Sequence, residues 1–183
     1  MDRSQHTVHP GLLQAPLRLT YASYIVLGLV AQAGEATPYK LKRMVATGIG
    51  NFWSLQHAQL YSEPERLAGA GYLTEQREPA GRRRRRYAIT ARGRAALEEW
   101  LSTPTQELTE LRDPGLLKLY FGGDPAALAD AQLQAHERKL RDYRRARADD
   151  TGEGLRGPWL TLDAGIGHER EWVRYWRRVR DAR

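Results

Sequence analysis

Apolar residues return every three or four positions from Ala22 to Ala33, so Ala22, Ile25, Val26, Leu29, Val30 and Ala33 share one face of a predicted helix. Thr20 stands ahead of the run as an N-cap, and Gly34 ends it. Thr37-Pro38 is a second start signal, a capping threonine followed by proline at the first helical position. The short helix after it buries Leu41, Met44 and Val45, leaves Lys40, Lys42 and Arg43 to solvent, and breaks at Gly48 and Gly50. The turn GIGNFW leads to Ser54, read as the cap of a third helix, with Phe52 and Trp53 packing before it as a staple. Leu60, Pro64 and Leu67 share that helix's core face, and Gly69 and Gly71 close it.

The period then shortens. Tyr72 to Gln76 has strand character, Glu78-Pro79-Ala80-Gly81 is turn chemistry, and Arg82 to Arg86 runs into Tyr87-Ala88-Ile89. These predict a two-stranded hairpin with arginines on its tip and return strand. Thr90 caps a fourth helix with Ala95, Ala96, Trp100 and Leu101 inward. Three helices, a hairpin and a helix, in that order, describe a winged helix-turn-helix.

Pro104 to Thr109 reads as a linker. Asp113-Pro114 opens a brief helix through Leu116, Leu117, Leu119, Tyr120 and Phe121, stopped by Gly122-Gly123. Asp124-Pro125 opens a longer one with Leu133, Leu140 and Arg147 a heptad apart, flanked by Leu128 and Tyr143. A last helix from about Pro158 carries Trp159, Leu162, Ile166, Val173 and Trp176 at helical steps, with Glu169 interrupting the seam. Such apolar stripes need a surface to cover them, and a second copy of the chain is the economical one. The expected organisation is mainly α with a small β-wing: a loose arm over 1–18, a winged helix-turn-helix over 19–103, and a helical dimerisation and effector domain over 104–183.

Charge sharpens this division. Of the net +7, residues 1–103 hold 14 basic against 8 acidic side chains and residues 104–183 hold 15 against 14, so the excess lies in the first half. A basic half suits a polyanion, nucleic acid or anionic membrane alike. No apolar run has the roughly 20 residues that span a bilayer, and the first sixteen residues lack the apolar stretch of a signal peptide. With no cysteine and five scattered histidines, thiolate chemistry is excluded and no metal site or cofactor is expected. Phosphate-loop, nucleophile-elbow and zincin motifs are missing, which argues against an enzyme. A cytoplasmic protein is expected.

Several short motifs, in order, resemble one family. The segments TPYKLKRMV, FWSLQHAQLYSEPERLAGAGYLTEQ and GRRRRRYAITARGRAALEEWL are similar to the DNA-binding domain of PadR-family transcriptional regulators over residues 20–102. The shared positions are Tyr39, Leu60, Tyr61, Leu67, Gly71, Tyr72, Tyr87, Ile89, Thr90 and Gly93. One departure concerns the third helix: Ser62 stands where the family often has proline, and Pro64 follows two places later, where it favours a kink. The resemblance implies a dimeric regulator, most often a repressor, that leaves DNA when a small aromatic or drug-like effector binds.

The expected site follows from that picture. Ser54, Gln56 and Gln59 are the candidates for base contacts in the major groove, followed by His57 and Tyr61. His57 sits nearer the core side of the helical wheel than Gln59 does, so packing competes with DNA contact there. Arg82, Arg83, Arg84, Arg85 and Arg86 are the wing's candidates for phosphate or minor-groove contact; alternation lets two or three of them act together. Lys40, Lys42 and Arg43 are secondary phosphate candidates. Tyr120, Phe121, Trp159, Trp172 and Trp176 are candidates for an effector pocket or dimer interface, and Leu133, Leu140, Leu162, Ile166 and Val173 for the dimer helices. The expected partners are a pseudo-palindromic duplex operator, a second copy of the chain and an effector. The alternative is a non-specific RNA-binding or architectural protein using the same basic wing.

Overall fold

The computed structural model describes residues 17–77, 84–151, 154 and 156–182. The expected N-terminal arm, apart from its last two residues, lies outside them. The chain divides into two compact units between Gln106 and Glu107, inside a stretch without regular structure over 104–113. Among the described residues no helix is long and apolar enough to cross a membrane.

The first unit begins with α1 (Tyr21–Ala33), capped by Thr20 in a reciprocal box with Ser23 and ended at Gly34, whose φ of 70° suits glycine. A two-residue strand β1 (Glu35–Ala36) follows, then α2 (Pro38–Thr47), capped by Thr37 with Pro38 in the first turn. A 3₁₀ turn at Ile49–Asn51 precedes α3 (Gln59–Gly69). The wing pairs β2 (Leu73–Arg77) antiparallel to β3 (Arg85–Ile89), and α4 (Ala91–Ser102) closes the unit under its Thr90 cap.

Three local expectations need correction. The sheet has three strands, ordered β1-β3-β2, because β3 also pairs with Glu35 and Ala36. Helix α3 starts five residues after Ser54, with Ala58 at the N-cap position and no side-chain cap, so Ser54 is not the cap and Phe52 is no staple but 64% exposed. On α4 the inward residues are Gly93, Ala96 and Leu97; Ala95 and Leu101 face solvent, and Trp100 instead stacks on Tyr24 with centroids 4.7 Å apart.

The first core joins Val26, Leu27, Leu29 and Val30 of α1 with Leu41, Leu60, Leu67, Leu73 and Tyr87. Leu27, Leu41 and Leu67 are fully buried, each contributing about 1.5–3 kcal/mol by leaving water. Pro64 is buried inside α3, which runs through it as one helix. Proline there has no N–H to give the Leu60 carbonyl, so one bond of the helix is lost. Beside it a polar anchor fixes α3 to α1. Arg66 donates from Nε to Glu63 at 2.9 Å, from Nη2 to Ser23 Oγ at 2.9 Å, and from Nη1 to the Arg18 carbonyl at 3.3 Å. Burial opposes ionisation of Glu63, but the bonds from Arg66 and Ser23 outweigh it and hold the carboxyl below its ordinary value.

The junction between wing and α4 explains a sequence motif. Thr90 accepts from the Gly93 amide at 3.0 Å, while its hydroxyl lies 2.8 Å from the Gly71 carbonyl. A Cβ on Gly93 would sit 2.2 Å from the Tyr72 carbonyl oxygen. The strand therefore passes too close for any side chain, and Thr-x-x-Gly is a packing requirement.

The second unit contains α5 (Pro114–Tyr120), α6 (Pro125–Ala148) and α7 (Arg156–Asp181), with α5 and α6 capped by Asp113 and Asp124. Helices α6 and α7 run antiparallel, as the pairs Arg147–Asp163 and Arg177–Glu137 show. Leu133 and Leu140 pack with Ile166, Val173 and Trp176 in a core joined by Leu162, and Leu116 and Leu119 of α5 close it. The stripes expected to wait for a second copy thus cover each other within one chain. Glu169, which interrupts the seam, is buried and accepts from His136 Nδ1 at 2.6 Å. A Cβ on Gly165 would lie 3.0 Å from the Tyr143 ring, so the helices meet closely there.

Gly93→Ala should lower the stability of the protein by about 1–3 kcal/mol, the usual cost of forcing an atom into a filled site. Gly69→Ala, where a Cβ meets nothing within 4 Å, should not destabilise it; urea unfolding midpoints decide between them. Acid gives a second check. A carboxyl held below its unfolded value stabilises fully above that value and loses the contribution as pH falls through the folded one. Melting temperature should therefore drop below about the ordinary 4.5 of Glu63, and Glu63→Gln should reduce that acid-dependent drop while lowering the melting temperature at neutral pH.

Candidate nucleic-acid interface

Residues 53–56 carry no regular structure and lead into α3 through a turn at His57–Ala58. The Gln59 side chain caps this lead-in by accepting from the Gln56 amide at 3.1 Å. One lone pair of its carbonyl oxygen is thereby engaged. Ser54 and Gln56 are exposed but stand before the helix, which corrects their expected place on it. His57 is exposed, so the packing alternative fails, and its ring meets that of the half-exposed Tyr61 at 5.2 Å. Together they form a polar-aromatic edge at the entrance to α3. The opposite face holds Leu60, Glu63, Pro64 and Leu67, all buried.

On α2, Lys42 and Arg43 are exposed and form no ion pair among the described residues. Lys40 differs. Its ammonium donates to the Glu35 carbonyl at 3.0 Å and reaches the Ala33 carbonyl at 3.4 Å, closing the end of α1. It is a structural lysine in this geometry. Tyr39 beside it is 65% exposed, a large aromatic that the charge pattern alone did not mark as part of the site.

The arginine run divides by strand alternation. Arg82 and Arg83 lie outside the described residues. Arg84 and Arg86 are exposed, and Arg86 lies 3.9 Å from Glu35. Arg85 turns to the side on which Tyr87 is buried and meets two carboxylates, Glu65 at 2.8 Å and Glu75 at 3.7 Å. The hydrogen bonds to Glu65 and then Tyr87 hold its guanidinium above the ordinary arginine value. Glu75 also accepts from Arg77 at 2.6 Å and from the Tyr87 hydroxyl at 3.2 Å. The Arg77 bond, with Arg85 and Tyr87 after it, keeps the Glu75 carboxyl below its ordinary value. Among the described residues Arg85 is thus paired with carboxylates of α3 and β2, unlike Arg84, while about a third of its side chain stays exposed. Its partner Glu65 stands twenty residues away in sequence, and no local pattern points to it.

In the second unit the aromatic candidates scatter. Trp176 is fully buried in the α6–α7 core and lines no opening. Tyr120 and Phe121 are 83% and 77% exposed, and Trp159 lies under the Arg147 guanidinium at 4.8 Å. Trp172 lines an open groove of ≈ 480 Å³ with Leu111, Leu116, His168, Glu171, Tyr175 and Arg178. The Trp172 indole donates to His168 Nε2 at 2.7 Å.

Residues 26–99 match the family model described as the transcriptional regulator PadR-like family, and residues 111–182 match one described as virulence activator alpha, C-terminal. The negative transcriptional regulator PadR of Bacillus subtilis is 27% identical over 165 residues, covering 82% of this chain and 90% of that protein. The crystal structure of Bacillus subtilis PadR with operator DNA superposes with a TM-score of 0.77 at 24% identity, covering 87% of this chain and 97% of the other. The same protein with p-coumaric acid gives 0.72 at 24% identity, with 87% and 96% covered. The fold is thus shared over 87% of this chain.

Proposed function

We propose that this chain, which belongs to the PadR-like family of transcriptional regulators, is a homodimeric cytoplasmic repressor that reads a pseudo-palindromic operator in duplex DNA and leaves it when a small aromatic effector binds. The observation that carries the reading is the outward set of side chains on the first unit: Arg84 and Arg86 on the wing, Lys42 and Arg43 on α2, and His57 and Tyr61 at the entrance to α3. These elements are neighbours, since α2 packs on α3 and on β1, and β1 pairs with β3. A helix entrance with exposed polar groups is what enters a major groove, and flanking guanidiniums and ammoniums suit the phosphates beside it.

The relative named a negative regulator supports the sign of the regulation. The operator and p-coumaric acid complexes of that Bacillus protein support the two ligands. The groove beside Trp172 offers an aromatic ligand a ring contact, and its wall carries one charge of each sign, Arg178 and Glu171, so an acid would have to seat at the Arg178 end. Leu117, Tyr120, Phe121 and Leu160 remain uncovered within one chain and suit the surface of a second copy.

The test is selection of bound duplexes from a random pool by the purified protein, followed by light scattering of the complex. A recurrent two-fold sequence bound by two chains is expected. Equal binding of RNA, random duplex and selected duplex at moderate salt would give the alternative, a non-specific nucleic-acid binder. Replacing Arg84 and Arg86 together with alanine should weaken binding to every duplex alike. The slope of log affinity against log salt should shrink by about 1.8, at about 0.9 for each phosphate that is no longer neutralised.

A further inference from the structure

The wing is tied to the recognition helix by a guanidinium that DNA has no need to touch. Arg85 pairs with Arg77 in the sheet register, at the far end of the described ladder from Leu73 and Ile89, where the wing leaves α3. A two-stranded ribbon held only at its root bends at the root, so its outer end needs a second attachment. Arg85 supplies one: it reaches Glu65 on α3 at 2.8 Å and Glu75 on β2 at 3.7 Å. Glu75 is itself held by Arg77 and by the hydroxyl of Tyr87, whose ring is buried in the core. The chain of contacts therefore runs from core to strand to helix without a gap. Both flanking residues, Arg84 and Arg86, are exposed, and strand alternation turns Arg86 to the opposite side.

We propose that Arg85 is a positioning residue, clamped between Glu65 and Glu75, that fixes the angle between the wing and α3 and so sets how far from the groove-bound helix Arg84 and Arg86 meet the DNA backbone. The inference rests on the reading of α3 and the wing as the DNA-binding elements. Glu65 pairs with Arg85 at 2.8 Å, and Glu75, held more closely by Arg77, adds its charge at 3.7 Å, so Arg85 is already paired and adds little to the count of phosphate contacts. Its effect falls on discrimination: a wing free to swing can find phosphates on any duplex, while a fixed wing finds them only where the helix also fits its bases. Arginine suits this place because its planar fork serves two acceptors, which a lysine ammonium does with less directional hold.

The experiment measures affinity over a range of salt for two duplexes of one length, a sequence selected from a random pool by the full-length protein and a random sequence. Arg85→Ala should reduce the ratio of the two affinities by about tenfold, the size of one mismatched base pair, with the salt slope unchanged. Arg84→Ala should do the reverse, keeping the ratio and lowering the slope by about 0.9. Glu65→Arg and Arg85→Glu should each lose the ratio, and the double variant, whose net charge equals that of the parent, should regain it. Regain also answers the objection that a single variant is misfolded, and circular dichroism melts of each variant accompany the titrations. A uniform loss with a smaller slope for Arg85→Ala would make Arg85 a phosphate contact and overturn the proposal, as would a ratio unmoved in Arg85→Ala or unrestored in the double variant. Failure of the parent protein itself to prefer the selected duplex is a distinct result, and it removes the DNA-reading premise.

Discussion

The seat of α3 governs what the first unit can offer a duplex. One side of that helix is taken up by Leu60, Pro64 and Leu67 in the core and by Glu63, whose carboxylate holds Arg66 against Ser23 and the Arg18 carbonyl. Removing one member of a buried ion pair costs about 3–5 kcal/mol, comparable with the 2–5 kcal/mol or so of hollowing out a core leucine. Arg66 keeps about a third of its side chain in water, which places this pair at the low end. The pair lies within α3, and it is the Arg66 bonds to Ser23 and the Arg18 carbonyl, which Glu63 orients, that add to the apolar seat of the helix. Its free edge, with His57 and Tyr61, follows from what the other edge has given up.

A second constraint acts on the wing. Neighbouring residues of a strand face opposite ways, so Arg85 and Arg86 of β3 cannot act together. Tyr87 is buried at 1% exposure and sets the phase. Arg85 must then share its side and finds Glu65 and Glu75, while Arg86 projects to the other side, beside Glu35.

The elements legible in the sequence are those fixed by bonds a few residues long. Thr20, Thr37, Thr90, Asp113 and Asp124 each accept from an amide two or three positions on, so their helices begin where expected. Ser54 has the same chemistry and fails, because the Gln59 side chain ties the lead-in differently and α3 starts later. Strand β1 is two residues long and exists only through pairing with β3, fifty residues on. Lys40 and Arg85 look like free cations in sequence and are engaged by groups that come near only on folding. The covering of α6 by α7 is hidden for the same reason: a stripe announces that it needs a partner, never which one.

Close approach does the work of shape in the second unit, where Gly165 lets the Tyr143 ring settle against α7 and the hairpin fills its own interior. The first unit likewise completes its interior with residues from α1 to α4. Each half thus draws its apolar interior from its own stretch of chain, so the order of either one rests on contacts supplied within it.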